Sequence, residues 1–398
     1  MLALHVSDTH LGAMPFGLFS RAKDIYASFA ETVEIAIRER VSFYIHAGDF
    51  FDSPNPPPEA YVVAYRGLKK LKEKGIKVVV ISGQHDIPKK LAVSPLQLLL
   101  DLGVIDILAV NEIVQREVEV EGRKINFVCV PYTERARIPN IGKTVKDAYR
   151  NVLVAHLLLR ELGIPSDQAD VTLSHIPQWF NYVALGDYHI KSEFRHGLGY
   201  VVYPGATEVL RVNECCDKYV AIIDLSLESP KPQYIKLLSV RPWIILDYRD
   251  FQHFMEELTK GITELKKQGA KPPIVVVNAQ NEAVRHVEKL LISLRERGEI
   301  EYFRIRYRED KDEEMKQSTP VEELEHIDVL KLIEQVVNNP KLAQLLLNLI
   351  KEPSKSNVKS IVDYLKEDAE TAKKLEAVGK AGKLSINTKV GIKGKIHE

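Results

Sequence analysis

Five apolar runs in the first half of the chain each stop at a cluster of Asp, His or amide side chains. LALHVS runs into Asp8 and His10, FYIHAG into Asp49 and Asp52, and KVVVIS into Gln84, His85 and Asp86. NVLVA runs into His156, and YVALG into Asp187 and His189. Short β-branched runs of this length read as buried strands, and open α/β sheets gather their ligands just past the carboxyl ends of the strands. One such cluster is ordinary turn chemistry, because Gly-Asp ends many strands. Five of a single chemical type restrict the fold far more: the strand ends must converge on one polar site.

The segments between these runs fit that demand. Residues 20–39 place Ile25, Phe29, Val33 and Ile37 at helical spacing, 57–75 reads as a helix ended by Gly75, and 94–103 as a shorter helix. ILAVN, REVEVEG, KINFVCVP, VTLSH, YVVYPG and KYVAIIDL read as further strands. Strand–helix alternation of this kind predicts sheets flanked by helices. After the Pro-containing ESPKPQ, residues 241–308 run strand, helix, strand, helix, strand, which predicts a small α/β unit. EDKDEEMKQSTP at 309–320 reads as a charged tether. Beyond it, HIDVLKLIEQVV, PKLAQLLLNLIKE and VKSIVDYLKED are apolar at helical spacing, and they either pack on their own chain or bind a partner. The expected division is 1–235, an α/β unit at 236–308, a tether at 309–322, a helical segment at 323–366 and a Lys/Gly-rich tail at 367–398.

Carboxylate, imidazole and amide oxygen together form a ligand set for Mn²⁺, Fe²⁺ or Zn²⁺ without thiolate. The 3 Cys have no CxxC spacing, which argues against a thiolate zinc site or a disulfide framework and suits a reducing compartment. Two ions about 3.5–4 Å apart need a bridging carboxylate. Asp49, on a central strand, is the natural bridge. His5 and His46 lie within strands, and His175 and His196 have no partner at motif spacing, so these four read as structural. A formal net charge of +0 neither supports nor excludes a nucleic-acid partner, because local patches and bound ions supply positive potential. With no basic leader and no run of membrane-spanning length, the expectation is a cytoplasmic protein that does not touch membrane.

The order DxH, GDxxD, GxHD, H, GxxH resembles that of the calcineurin-like binuclear metallophosphoesterases. Within them it is most similar to the meiotic-recombination-eleven nucleases of DNA double-strand-break repair, through SDTHLG at 7–12, HAGDFFD at 46–52, YVALGDYHI at 182–190 and VVYPGATE at 201–208. The motifs are specific over residues 1–210; beyond them the resemblance is one of architecture. It implies a metallophosphoesterase sandwich, with sheets flanked by helices, a small α/β cap and a C-terminal helical segment. It also implies an Mn²⁺-dependent exonuclease and endonuclease on DNA ends, acting as a homodimer. A coiled-coil ABC-type ATPase of the rad-fifty family would bind through 323–366. Tyr61, Tyr65, Leu98 and Leu99 are candidate dimer contacts, or simply cover the sheet.

Carried over by position, Asp8, His10, Asp49 and His189 would hold one ion, and Asp49, Gln84, His156 and Asp187 the other. His85 would stand over the scissile phosphate, and Asp52 would orient it from behind, keeping one imidazole nitrogen protonated. Two positions depart from the family pattern: Asn is usual at Gln84 and His at Asp187. Asp8, Asp49 and Asp187 then set three negative charges against two divalent ions, which favours metal retention but attracts a phosphodiester less. The competing readings are an altered second site on a weakly active DNA-end scaffold, or a phosphoesterase for other phosphodiesters.

Overall fold

The computed structural model describes residues 1–88, 93–142, 148–165, 167–214, 217–279, 285–307, 339–351, 357, 359–361 and 363–364. The chain divides into two units, Met1–Met315 and Lys316–Glu398.

Strands β1 (Leu2–Val6), β2 (Phe43–Ala47) and β3 (Lys77–Ile81) are buried along nearly their whole length. That is the pattern of parallel strands covered on both faces. They pair parallel in adjacent positions, with Ala3 opposite Phe43 and Phe43 opposite Lys77. With β4 (Ile107–Ala109), β11 (Tyr219–Asp224) and β12 (Gln233–Lys236) they form a six-stranded sheet of order β12-β11-β1-β2-β3-β4.

The second sheet comprises β5 (Val114–Val120), β6 (Arg123–Val130), β7 (Arg150–His156), β8 (Tyr182–Gly186), β9 (Ser192–His196) and β10 (Gly199–Tyr203). Its order is β5-β6-β7-β8-β10-β9.

The two sheets share a core of Ile45, Val79, Ile81, Phe127, Val152 and Tyr182, with the Phe43 and Phe127 rings 5.1 Å apart. Truncating one of these fully buried rings to Ala would cost about 3–5 kcal/mol.

Helices α1 (Phe19–Arg38) and α2 (Pro58–Glu73) cover the first sheet, with α3 (Pro95–Asp101). On α1, Ile25, Phe29 and Val33 are fully buried and Ile37 partly so, the stripe expected from its spacing. Tyr61 and Tyr65 pack against the same core and Leu99 is buried within it, whereas Leu98 is exposed.

Residues 243–307 fold as β13 (Trp243–Asp247), α4 (Phe251–Lys267), β14 (Ile274–Ala279), α5 (Arg285–Glu296) and β15 (Tyr302–Tyr307). The three strands are parallel. Asp250 caps α4 by accepting the His253 amide at 2.8 Å. The molecule thus has sheets flanked by helices plus a small α/β cap, the expected fold class.

Two local readings differ. VTLSH is not a strand: Leu173–His175 is a 3-10 turn, and Val171 makes only an isolated bridge to Leu159. SEFRH, unassigned from sequence, is edge strand β9, whose alternating half-buried and exposed residues leave a weak hydrophobic signal.

In the second unit, α6 (Pro340–Lys351) buries Leu342, Ala343 and Leu347 and is capped by Asn339, which accepts the Leu342 amide at 3.0 Å. The tether 309–322, the segment 323–338 and the tail 367–398 lie outside the described residues, as do Cys215 and Cys216. No helix among the described residues is long and apolar enough to cross a membrane.

Candidate metal centre

The carboxyl ends of β1, β2 and β3 from one sheet and of β7 and β8 from the other meet at one edge of the sandwich. Asp8 and His10 follow β1, Asp49 and Asp52 follow β2, and Gln84 and His85 open a 3-10 turn after β3. His156 is the last residue of β7, and Asp187 and His189 follow β8. Asp8, His10, Asp49 and His156 are at most 2% exposed. A carboxylate buried to that degree must find charge partners.

The partners are each other. His156 Nε2 lies 3.5 Å from Asp49 Oδ2 and 3.9 Å from Asp187 Oδ1. His10 Nε2 lies 3.8 Å from Asp49 Oδ2 and 3.3 Å from His189 Nε2. His189 Nε2 is 4.0 Å from Asp8 Oδ1, and His85 Nε2 is 3.9 Å from Asp49 Oδ2. Among the described residues, three sets of side chains close enough to chelate an ion result: Asp8, His10 and His189; Asp8, Asp49 and His156; and His10, Asp52 and His85. None of these contacts involves Gln84, which is exposed.

The imidazoles are oriented from behind. His156 Nδ1 donates to the Ala47 carbonyl at 2.8 Å, across from one sheet to the other. His189 Nδ1 donates to Glu214 Oε1 at 2.9 Å. His85 Nδ1 donates to Asp52 at 2.8 Å, but to its backbone carbonyl; the Asp52 carboxylate lies instead 3.3 Å from His10 Nδ1. Fixing Nδ1–H in this way leaves Nε2 with its lone pair forward, the tautomer a metal ligand needs. His156 Nε2 is buried with no hydrogen-bond partner while two carboxylates face it. An orphaned nitrogen beside paired carboxylates fits a divalent cation.

The same groups also shift one another's protonation. Burial pushes the Asp49 carboxyl up, but the His156, His10 and His85 charges outweigh it and hold the group well below the usual carboxylate range. Asp187 moves the other way, to about 6, because burial is reinforced by the Asp49 and Asp8 charges against His156 and His189. Burial lowers His156, yet Asp49, Asp187 and Asp8 together carry it well above its ordinary value.

The backbone is strained where the candidate ligands sit. Asp8, His10, Asp49 and Asp187 have φ of 52°, 44°, 50° and 90°. Left-handed conformations in non-glycine residues each cost about 1–3 kcal/mol and persist where surroundings fix them. Here Asp8 N donates to Gly48 O at 3.1 Å, His10 N to Asp49 O at 3.0 Å, and Asp187 N to Asp8 Oδ1 at 3.1 Å. At Gly48, φ is 93° and a Cβ would stand 2.2 Å from His156 Nδ1, so only glycine lets the two sheets close here.

Glu214 and Tyr132 were not foreseen, and Asp86, expected only as part of the cluster after β3, has a distinct role. Glu214, from a 3-10 turn at Val212–Glu214, holds His189, and that pairing brings its own carboxyl down to about 2 against the upward push of burial. No spacing signal links it to His189. Asp86 accepts the amides of Phe50, Phe51 and Gly83 at 3.1, 2.8 and 3.0 Å, stapling the β3 turn to the β2 turn. Burial first, then the Asp49 charge, raises it to about 7. Tyr132 stands with its ring 6.1 Å from that of His156, under the Arg135 guanidinium at 3.7 Å. His5 Nδ1 meets the Tyr182 hydroxyl at 2.9 Å and His46 Nε2 the Thr9 hydroxyl at 3.0 Å.

A family model described as calcineurin-like phosphoesterase matches residues 1–205. The chain is 30% identical over 290 residues to the DNA double-strand break repair protein Mre11 of Sulfurisphaera tokodaii, covering 71% of this chain and 74% of that protein. It is likewise 30% identical over 318 residues to Mre11 of Sulfolobus acidocaldarius, covering 77% of this chain and 82% of that one. Mre11 of Thermoplasma acidophilum is 29% identical over 290 residues, 68% of this chain and 75% of its own.

Proposed function

The chain belongs to the calcineurin-like phosphoesterases and, within them, to the Mre11 family, and from that premise we propose that it hydrolyses phosphodiester bonds at DNA double-strand breaks. The observation that carries this reading is the convergence of Asp8, His10, Asp49, His156, Asp187 and His189, with His156 Nε2 orphaned between two carboxylates.

In this reading Asp8, His10, Asp49 and His189 would hold one divalent ion, and Asp49, His156 and Asp187, joined by Gln84, would hold the second. Mn²⁺ is the ion the family resemblance implies, and the carboxylate and imidazole donors are compatible with it. When bound, such ions lower the pKa of the water nucleophile and draw charge from the phosphoryl oxygens. His85, with Nδ1–H fixed by the Asp52 carbonyl, has Nε2 3.9 Å from Asp49 Oδ2, at the candidate ion site. There it stabilises charge on the scissile phosphate, or, protonated, delivers a proton to the leaving oxygen. Asp52 acts through its carbonyl on His85 and through its carboxylate on His10. Domain 1–235 carries the chemistry, 236–308 caps it, and 323–366 recruits a coiled-coil ATPase of the rad-fifty family to a homodimer.

The test is cleavage of end-labelled duplex and hairpin DNA with Mn²⁺ or Mg²⁺, beside a small chromogenic phosphodiester, with and without the ATPase. Mn²⁺-dependent cleavage that favours DNA and disappears in Asp49→Ala is the expected result; cleavage surviving in a folded Asp49→Ala protein defeats the proposal. A second reading, a weakly active scaffold on DNA ends, draws on the exposure of Gln84. One bound ion rather than two by calorimetry at pH 7 would favour it.

A further inference from the structure

Two loops that leave the metal centre end against the cap. The first follows His10: Ala13 N donates back to His10 O at 3.0 Å, and the chain then enters a 3-10 turn, Pro15–Gly17. Phe16 in that turn has φ 60°, a conformation bulky side chains rarely adopt. Its ring stacks on Tyr302 of β15 at 5.1 Å and 22°, and lies 5.8 Å from Trp243 of β13. A strained aromatic residue persists where its surroundings fix it, and here the surroundings are the cap sheet.

The second loop, 204–209, touches both ligand segments. Ala206 N donates to His189 O at 3.1 Å, and Thr207 N to Asp8 O at 3.4 Å. The next residue, Glu208, is 1% exposed. Its carboxylate accepts from Arg21 Nη2 at 3.1 Å and from the backbone amide of Arg241, at the entry to the cap, at 3.2 Å. The Arg241 side chain is itself anchored on α1, Nη2 lying 3.2 Å from Asp24 Oδ1, where Lys271 Nζ also docks at 2.8 Å. Glu31 of α1 accepts the amides of Leu238 and Ser239 at 2.8 Å, pinning the linker into the cap. His156 and Asp49, by contrast, are held inside the sandwich, by Ala47 O and the His85 amide.

We propose that Phe16 and Glu208 are positioning residues: through them the seated cap fixes Asp8, His10 and His189, and so sets the affinity of one of the two divalent ions. This rests on the two-ion reading above. Loss of the Phe16 ring frees its turn to relax, and the slack reaches His10 through Ala13. Neutralising Glu208 loosens the backbone that supports Asp8 and His189 from the other side.

The experiment is calorimetric titration of Mn²⁺ into the chelator-stripped full chain, for wild type, Phe16→Ala, Phe16→Tyr and Glu208→Gln, with melting curves alongside. Wild type should bind two ions. Phe16→Ala and Glu208→Gln should each weaken one ion by about tenfold and leave the other within about twofold, and Phe16→Tyr should restore wild-type binding. Unchanged affinities in both weakened variants overturn the proposal. Equal weakening of both ions also overturns it, because general destabilisation does not discriminate between sites. A wild-type stoichiometry of one removes the two-ion reading instead. The positioning role then stands if that single ion weakens in Phe16→Ala and falls if it does not.

Discussion

Gly48-Asp49 after β2 and Gly186-Asp187 after β8 are two turns of one design, each ending a fully buried strand in a left-handed aspartate. Their surroundings nevertheless shift the two carboxyls in opposite directions. Asp49 has three imidazoles within 3.5–3.9 Å of Oδ2 and is held ionised. Asp187 has His156 at 3.9 Å, but the charges of Asp49 and Asp8 add to its burial, and it rises to about 6. The turn is local chemistry, written in two adjacent residues; the shift is set by side chains brought in from other strand ends, His156, His10 and His85 around Asp49 and His156, Asp49 and Asp8 around Asp187.

The largest effect that would break this contrast is catalytic. Asp49→Asn should lower DNA cleavage by about 10³-fold or more with the melting temperature little changed, since the bridging charge is lost while the shape is kept. The glycines come next. Gly48→Ala should cost about 2–5 kcal/mol, combining a left-handed penalty with a clash on His156. Gly186→Ala meets Ala47 O at 2.1 Å without the left-handed φ, and should cost about 1–3 kcal/mol in chemical denaturation. Equal losses at the two glycines would erase the distinction between the turns.

The third is a pH effect. Asp187 in the folded chain takes up a proton near 6, above its ordinary value of 3.8, so its protonation stabilises the fold at low pH. That contribution is complete below about 3.8 and is lost as pH rises through 6. Chelator-treated wild type should therefore lose about 1–3 kcal/mol more than Asp187→Asn between pH 4.5 and 7 in urea melts. A matching pH slope in the variant would show that the proton resides elsewhere. The smallest expected effect is at Glu214: Glu214→Gln should weaken Mn²⁺ binding by about tenfold by loosening His189.

Much of this was readable in the chain. The strand ends, the α1 stripe of Ile25, Phe29 and Val33, and the alternation of the cap follow from periodicities of two and 3.6, which short windows contain. Glu214 and Tyr132 escaped because each acts through distance in space, and Asp86 was visible in its cluster without its role as a staple between two turns. Glu214 meets a histidine 25 residues earlier with no motif between them, and Asp24 meets Arg241 across 217 residues. Asp52 shows a finer limit. A sequence names the residue but not the atom, and it is the carbonyl, not the carboxylate, that steadies His85.

The pairing of β1 carries a consequence for the newly made chain. This first strand lies between β2 and β11, so one of its two neighbours, Tyr219–Asp224, is synthesised more than two hundred residues later. At about 5–20 residues per second, a ribosome needs at least ten seconds to supply that neighbour. Asp8 waits even for His189 to emerge before its cluster can assemble. A fragment released early thus holds incomplete ligand sets, and cleavage competence arrives only when the sandwich is nearly whole.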